Sequence, residues 1–592
     1  MRAHLIPVVL VVLSAAALAD TGVQISEVGL KGYYSTATPT PVTVNVNVPP
    51  GVNSITLNFT VSLAQQEKLG PLRVDHISEH VGVKSGQLVQ VVAPLPLTVW
   101  GRSSLEVVAS DTAGNKIGSS AIDLSSLTRI ANEALVVIFC KEREACDDAQ
   151  SQISFSGSEN EVSEKGKNFK FLTLQTPRER WLDYAPAAFI VIAGTLSDWN
   201  TVERRALEAY TRRGGHLILL EKESRDPTFL SAYRTGSIQE PALVGRGKLF
   251  RVPGLQTKTL GSLFTGKLLS PYGTYPPSSA NIANFDPLRQ EFAVSFSFPR
   301  LRWFLVWLVI YIFIVGVGNF SLLNRLRRLE WGWITTAGVA VVFAIGLYFV
   351  SSANRPKQIT LDNLAVYWMD DKSPNAWESI PLRVSSPERQ ELSLTVGDDA
   401  VLTSGQPTRE VSADIATEIT EKERMQPGWQ IQLGPPFEVE IPMLRWSYSD
   451  LDFETFHVFT GTVTLTDRRL KNGTGQQFRE AMYLDISRNE KYLISNISPG
   501  EEIDLNRISS DPIWERVRMN SGADNVEFDP AAITQRKPAR HLKDLPYNEF
   551  SIGESKHLFV GLSDTPIPPV SISGHRFVQN RFAVTVVALT QP

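Results

Sequence analysis

The sequence predicts a multidomain membrane protein: an N-terminal β-sandwich, an α/β Rossmann-like three-layer domain, two transmembrane helices and a C-terminal, mainly-β part. Three observations carry that reading. Two apolar runs, Leu301 to Phe320 and Trp331 to Val350, stand in tandem near the middle of the 592-residue chain, each close to the ~20 residues that cross a bilayer as a helix. Short alternating or β-branched runs separated by Gly, Pro and Asn fill residues 21–127 and return after residue 353. Between these regions, continuous apolar strands are joined by a helical segment, the pattern of a sheet covered on both faces.

The first residues, MRAHLIPVVLVVLSAAALAD, combine an early arginine, an apolar run and small residues at Ala17 and Ala19. This predicts a signal peptide over 1–19, with an uncleaved anchor as the alternative. A β-sandwich (Ig-like) domain is predicted over 20–128, from VQISEVGL, PVTVNVNVP, SITLNFTVSL, GQLVQVVAPLPLTVW and SSLEVVASD. Within it, His76 to His80 reads HISEH. On a helix, His-x-x-Glu-His puts two imidazoles on one face to hold Zn²⁺, with the glutamate activating a water. On a strand the two histidines stand about 13 Å apart, too far for one metal. The strand-rich surroundings favour the second geometry and a polar loop or sheet-face role, so no metal ligand is assigned.

Residues 129–298 are predicted as the α/β domain. ALVVIF, FKFLTL, AAFIVIAG and GGHLILLE supply its strands. Asn200 and Glu203 form a capping box for a helix whose buried stripe is Val202, Ala206, Ala209 and Tyr210, ended by Gly214. LVGRGKL reads as a tight turn feeding a strand. Cys140 and Cys146 are the only cysteines. An exported compartment permits a structural disulfide between them; two free thiols are the alternative, and a redox pair is disfavoured by the absence of Cys-x-x-Cys.

Transmembrane helices are predicted at 301–320 and 331–350, with a link over 321–330 carrying Arg325, Arg327 and Arg328. Arginines at the tip of such a hairpin place it in the cytoplasm. Both large soluble regions then face the outer compartment of a plasma (inner) membrane. From 353 to 592, runs such as ITLDNLAVYWMD, FEVEIPMLRWS and KYLISNI predict one or two β-sandwich modules, with Asn472-Gly473 as a turn and KHLFVGLSD and RFAVTVVAL as late strands.

YAPAAFIVIAG, VERRALEAYTRRGGHLILLE and LVGRGKLFRVPG together resemble the class I glutamine amidotransferase-like domain of uncharacterised bacterial membrane proteins. GNFSLLNRLRRLEWGWI resembles their transmembrane hairpin link, and VTLTDRRLKNGTGQQFREAMYLDI is similar to the strand-rich domain that follows. An active amidotransferase of that fold needs a cysteine at a strand-to-helix elbow, near a histidine and oxyanion donors. The strand ending at Leu220 to Glu223 carries no such cysteine, so the resemblance implies a catalytically degenerate domain. His216 reads as a packed residue. Glu221 is a solvated carboxylate or cap, or else faces a ligand crevice.

No catalytic residue and no cofactor are assigned. The net charge of -4 and pI of 6.2 give no sign of a nucleic-acid partner, and two spans are too few for a transporter acting alone. The expected function is a non-enzymatic, membrane-anchored envelope protein, a protein-interaction or scaffold component. Its expected partners are the lipid bilayer and other envelope or membrane proteins. An extracytoplasmic hydrolase or ligand-binding enzyme is the alternative.

Overall fold

The computed structural model describes residues 22–34, 39–64, 71–95, 102–129, 134–140, 169–193, 196–220, 229–233, 241–252, 301–353, 358–397, 400–410, 429–433, 437–444, 447–512, 557–564 and 570–589. The predicted signal peptide, Cys146, Glu221 and the polar stretch 513–556 lie outside the described residues. Among the described residues the chain is mostly β-sheet, arranged in several sheets, with two long apolar helices.

Val23–Val28, Thr40–Asn47 and Leu88–Leu95 form a three-stranded antiparallel sheet. Its inward residues Val42, Val44 and Val46 share one apolar core with Ile55, Leu57 and Phe59 of the strand Ser54–Ala64. Alternate residues of each strand point inward, which is how two facing sheets fill the space between them. Ser54–Ala64 pairs antiparallel with Pro71–Gly82 on one side and Arg102–Asp111 on the other, and Lys116–Asp123 forms the edge.

That second sheet continues across the boundary drawn at the apolar helices. Gln430–Leu433, from beyond them, pairs in parallel with Pro71–Gly82, and Phe437–Met443, Gln390–Val396 and Ser571–Ile572 extend it to eight strands. The core is shared as well, because Leu394, Val439 and Ile441 belong to the same cluster as Phe59 and Leu105. Strands from residues 20–128 and from residues 353–592 thus stand in one sheet.

The α/β part carries a six-stranded sheet in the order Phe169–Leu174, Ala134–Phe139, Ala187–Ile192, His216–Leu220, Gly247–Val252, Ala242–Val244. Its neighbours are parallel except the last pair, the hairpin closed by Gly245 and Arg246. Helix Thr201–Arg213 opens with the expected capping box: Glu203 N donates to Asn200 Oδ1 (2.8 Å) and Asn200 N to Glu203 Oε2 (2.7 Å). It ends at Gly214, where φ is 130°. The expected buried stripe needs correction. Val202 is 52 % exposed, and the buried side is Ala206, Leu207, Tyr210, Thr211, Arg212 and Arg213. The helix is covered at its C-terminal end rather than along its length, so its last two arginines go inside.

A nine-stranded sheet holds most of the remaining C-terminal strands. At its centre Ile359–Asp370 pairs antiparallel with Ser373–Ser386 and parallel with Phe577–Leu589. The late strands His557–Ser563 and Phe577–Leu589 therefore lie in the middle of the sheet. The expected turn at Asn472-Gly473 is also displaced. Val463–Thr466 and Arg469–Asn472 are joined through Asp467 and Arg468, at φ 48° and 61°, both positive as a type I′ turn requires. Asn472 ends a strand instead; its buried amide donates to Gln476 O and Ser498 O and accepts from Thr474 N.

The first apolar helix runs through Leu301–Phe313, a π-turn at Ile314–Gly318, and Asn319–Arg325; the second is Gly332–Ala353. Helix thus extends through much of the predicted link. The windows Val306–Arg325 and Leu329–Gly346 are long and apolar enough to cross a membrane, and only 6 % and 0 % of them are buried. The two helices touch through Trp307 and Tyr311 against Phe343, and Asn319 Nδ2 donates to Thr336 Oγ1 (3.2 Å).

Candidate functional site

HISEH lies on the strand Pro71–Gly82, so its residues alternate between the two faces of the sheet. His80 is exposed and its Nδ1 is 2.8 Å from Thr56 Oγ1. His76 and Ser78 line a shallow groove of about 300 Å³ with Gln430, Gln432, Glu438 and Glu440. Among the described residues no group of three or more His, Cys, Asp or Glu is arranged to hold a metal.

Glu79 belongs to the opposite face. Its cross-strand neighbours are Leu57 and Leu433, both buried, and directly paired residues share a face. The side chain opens into a cavity of about 970 Å³ where three parts of the chain meet. Glu79 and Pro94 come from the N-terminal strands. Trp181, Leu182 and the exposed side of helix Thr201–Arg213, including Val202, Arg205 and Ala209, come from the α/β part. Val401, Leu402, Leu433, Phe437, Phe456 and Val458 complete the wall. Burial pushes the Glu79 carboxyl up to about 7, against the opposing charge of Arg180. Its Oε2 atom has no hydrogen-bond partner. Arg180 Nη1 donates to Val92 O, and Glu208 accepts from Arg212 Nε and Asn375 Nδ2, so both are tied to the walls.

The Glu79 shift has a measurable consequence. A carboxyl raised from 4.5 to about 7 on folding takes up a proton when the chain folds anywhere between those values. Its favourable contribution is complete below the unfolded value and is lost as pH rises through 7. Glu79→Gln removes the ionisation cost. Allowing for the residual exposure of the group, the variant is expected to be more stable than the parent by about 2 kcal/mol at pH 8 and equal to it near pH 4.5. Denaturant midpoints of the two proteins across that range check this.

Behind the cavity lies a buried polar contact between the α/β part and the nine-stranded sheet. Arg212 Nη1 donates to Asp370 Oδ2 (2.9 Å), while Tyr233 Oη (2.6 Å) and Gly245 N (2.9 Å) also donate to that carboxylate. Arg213 Nε donates to Glu454 Oε2 (2.6 Å), and its guanidinium stacks over Trp181. Trp181 in turn meets Trp377 edge-on at 4.8 Å. Arg246 lies over Trp368, and burial holds it down to about 10, opposed by Glu454. Burial lowers Arg212, but Asp370, Tyr233 and Glu208 outweigh it, and its net shift is upward. These residues carry no local sequence signal beyond two arginines in a last helical turn, which ordinarily sit in water and complement the helix dipole.

The sheet order reverses at Ala134–Phe139, so a crevice in such a sheet falls outside the carboxyl ends of Phe139 and Ile192. Tyr184 and Trp199 pack edge-on against Phe139 there, at 5.8 and 5.2 Å. Cys140 follows Phe139 and is disulfide-bonded; a thiol held that way is not a nucleophile. His216 is packed between Phe189 and Phe250, and burial drives it down to about 3, leaving it neutral.

The sequence matches no family model and no curated protein. Similar solved structures include a yeast delta-COP-I mu-homology domain with a Dsl1 WxWxV peptide, at 6% identity over 40% of this chain and 97% of that one, with a TM-score of 0.15. A Paenibacillus sp. cycloisomaltooligosaccharide glucanotransferase gives 10% identity over 74% and 72%, at 0.14. The capsular polysaccharide assembling protein CapF of Staphylococcus aureus gives 13% over 54% and 95%, at 0.13. At these scores none of the likenesses bears on fold or function.

Proposed function

We propose that the chain is a non-enzymatic, membrane-anchored envelope protein whose soluble regions act together as a protein-interaction scaffold on the outer face of the membrane. The carrying observation is the pairing of Pro71–Gly82 with Gln430–Leu433. Strands before and after the apolar helices can join one sheet only on the same side of a bilayer, which requires an even number of crossings between them. A two-helix hairpin meets that requirement, and Arg325, Arg327 and Arg328 at its tip favour a cytoplasmic turn. The parallel order of the six-stranded sheet supports the Rossmann-like reading of the α/β part. The packing of His216 between Phe189 and Phe250 agrees with a degenerate amidotransferase-like domain.

The test is quantitative mass spectrometry of proteins retained by the detergent-solubilised chain after mild crosslinking in its native membrane, set against a hairpin carrying only residues 298–352 behind a signal sequence. Envelope proteins enriched at least about tenfold by the full chain alone are the expected result; a tenfold ratio corresponds to 1.4 kcal/mol of preferential binding. Equal recovery with the hairpin overturns the scaffold reading. One observation favours the ligand-binding alternative, namely the cavity at Glu79.

A further inference from the structure

The cavity combines an apolar wall with one carboxylate oxygen that has no partner. Trp181, Leu402, Leu433, Phe437 and Phe456 supply a lining of the kind that buries an aliphatic or aromatic body. The volume, about 970 Å³, lies at the upper end of the range for small-molecule sites, roughly 300–1,000 Å³. Other charged groups lining it are Glu179, Arg180, Arg205 and Glu208. Arg180 and Glu208 are engaged as described. On the sheet, the residues directly paired with Glu79 are Leu57 and Leu433, which supply no hydrogen-bond donor from their side chains. The Glu79 carboxyl thus lines the cavity with no hydrogen-bonded donor at Oε2 and with Arg180 as the opposing charge, which leaves it able to take a donor from a ligand.

We propose that this three-way cavity binds a small amphiphilic cation, an apolar body bearing one protonated amine, with the amine donating to Glu79. A buried carboxylate is stabilised by an opposite charge brought within hydrogen-bonding distance, and charge-assisted bonds of this kind are stronger than neutral ones. The amine requires the ionised carboxyl. With the free group at about 7, binding below neutrality expels a proton, so apparent affinity falls as pH drops through that value, by at most about tenfold per pH unit. Above it the affinity is level until the amine itself loses its proton.

The site is independent of the scaffold reading, since a ligand can bind whether or not envelope proteins do. The experiment is isothermal titration of the full chain in nanodiscs with 4-phenylbutylamine, 4-phenylbutanol and 4-phenylbutyrate at pH 5.5 and 8.5, subtracting empty nanodiscs. The expected result at pH 8.5 is a preference for the amine over the alcohol of about tenfold or more, shrinking at pH 5.5. Glu79→Gln is expected to fold and to lose both the preference and its pH dependence while still binding the alcohol. Equal affinity for amine and alcohol overturns the proposal, as does an amine preference that survives Glu79→Gln. Preferred binding of the butyrate also overturns it, by assigning the polar end to an arginine.

Discussion

Replacing Asp370 by alanine is expected to destabilise the seating of the α/β part on the nine-stranded sheet by about 3–5 kcal/mol, the cost of leaving one member of a buried ion pair without its partner. The side chains of Arg212 and Asp370 are 1% and 2% exposed, so water cannot replace what is lost. The carboxylate also accepts from Tyr233, Gly245 N and Lys372 N, so removing it takes the buried carboxylate from Arg212, which keeps the part-exposed Glu208, and leaves a phenol and backbone donors without their acceptor. Denaturant unfolding followed by tryptophan fluorescence reads the loss directly, because Trp181, Trp368 and Trp377 lie at this contact. The expected trace has a first transition shifted to lower denaturant, with helix Thr201–Arg213 losing amide-exchange protection in parallel. A midpoint within the error of the parent would show that Asp370 is solvated. Asp370→Leu combined with Arg212→Leu should cost less than Asp370→Leu alone, since the only charge then left without its partner is the part-exposed Glu208.

That contact also marks where local reading of the sequence stops. ALVVIF and FKFLTL coincide with the strands Ala134–Phe139 and Phe169–Leu174, because a continuous apolar run between polar segments has one economical placement, inside a parallel sheet. The capping box at Asn200 was equally legible, being set by residues three apart. Arg212 and Arg213 were not, since their burial depends on Asp370 and Glu454, which come from a distant part of the chain. The strand Ser373–Ser386 is illegible in the sequence for a related reason. Its sequence, SPNAWESIPLRVSS, shows no alternation, and it buries Glu378, Ser379, Ser385 and Ser386, residues that outside a tertiary context read as loop. Burial pushes Glu378 up to about 8, so this strand carries a carboxyl that is largely neutral near pH 7 where pattern rules expect a hydrophobe.

Glu79 illustrates the same limit at the candidate site. The strand reading of HISEH already separates His76, Ser78 and His80 from Ile77 and Glu79, so the face of the glutamate was implicit in the sequence. Its surroundings were not. Leu433 and Phe437 reach it through a parallel pairing that bridges the apolar helices, and parallel neighbours leave no hairpin signal between them. The motif that suggested a metal thus supplies a carboxyl to a largely apolar cavity, while its imidazoles remain on the other face.

The parallel pairing itself is open to a direct test with a large expected effect. Ser78 stands opposite Gln432, on the face away from the core, so cysteines placed at both positions meet at the distance between neighbouring strands. That spacing, about 4.8 Å, falls within the Cα separations of natural disulfides, about 4.4–6.8 Å. Ser78→Cys with Gln432→Cys, exported to an oxidising compartment, is expected to crosslink in most molecules, giving a peptide pair that joins residues before the apolar helices to residues after them. Each single variant should give none. Because an interstrand disulfide requires both regions in one compartment, the same result tests the topology as well as the register. Absence of the linked peptides, with both thiols reactive to an impermeant maleimide from outside, would leave the topology standing and reject the shared sheet. Labelling of one thiol only after the membrane is opened would instead place the two regions on opposite sides, and both the continuous core and the scaffold built on it would fall.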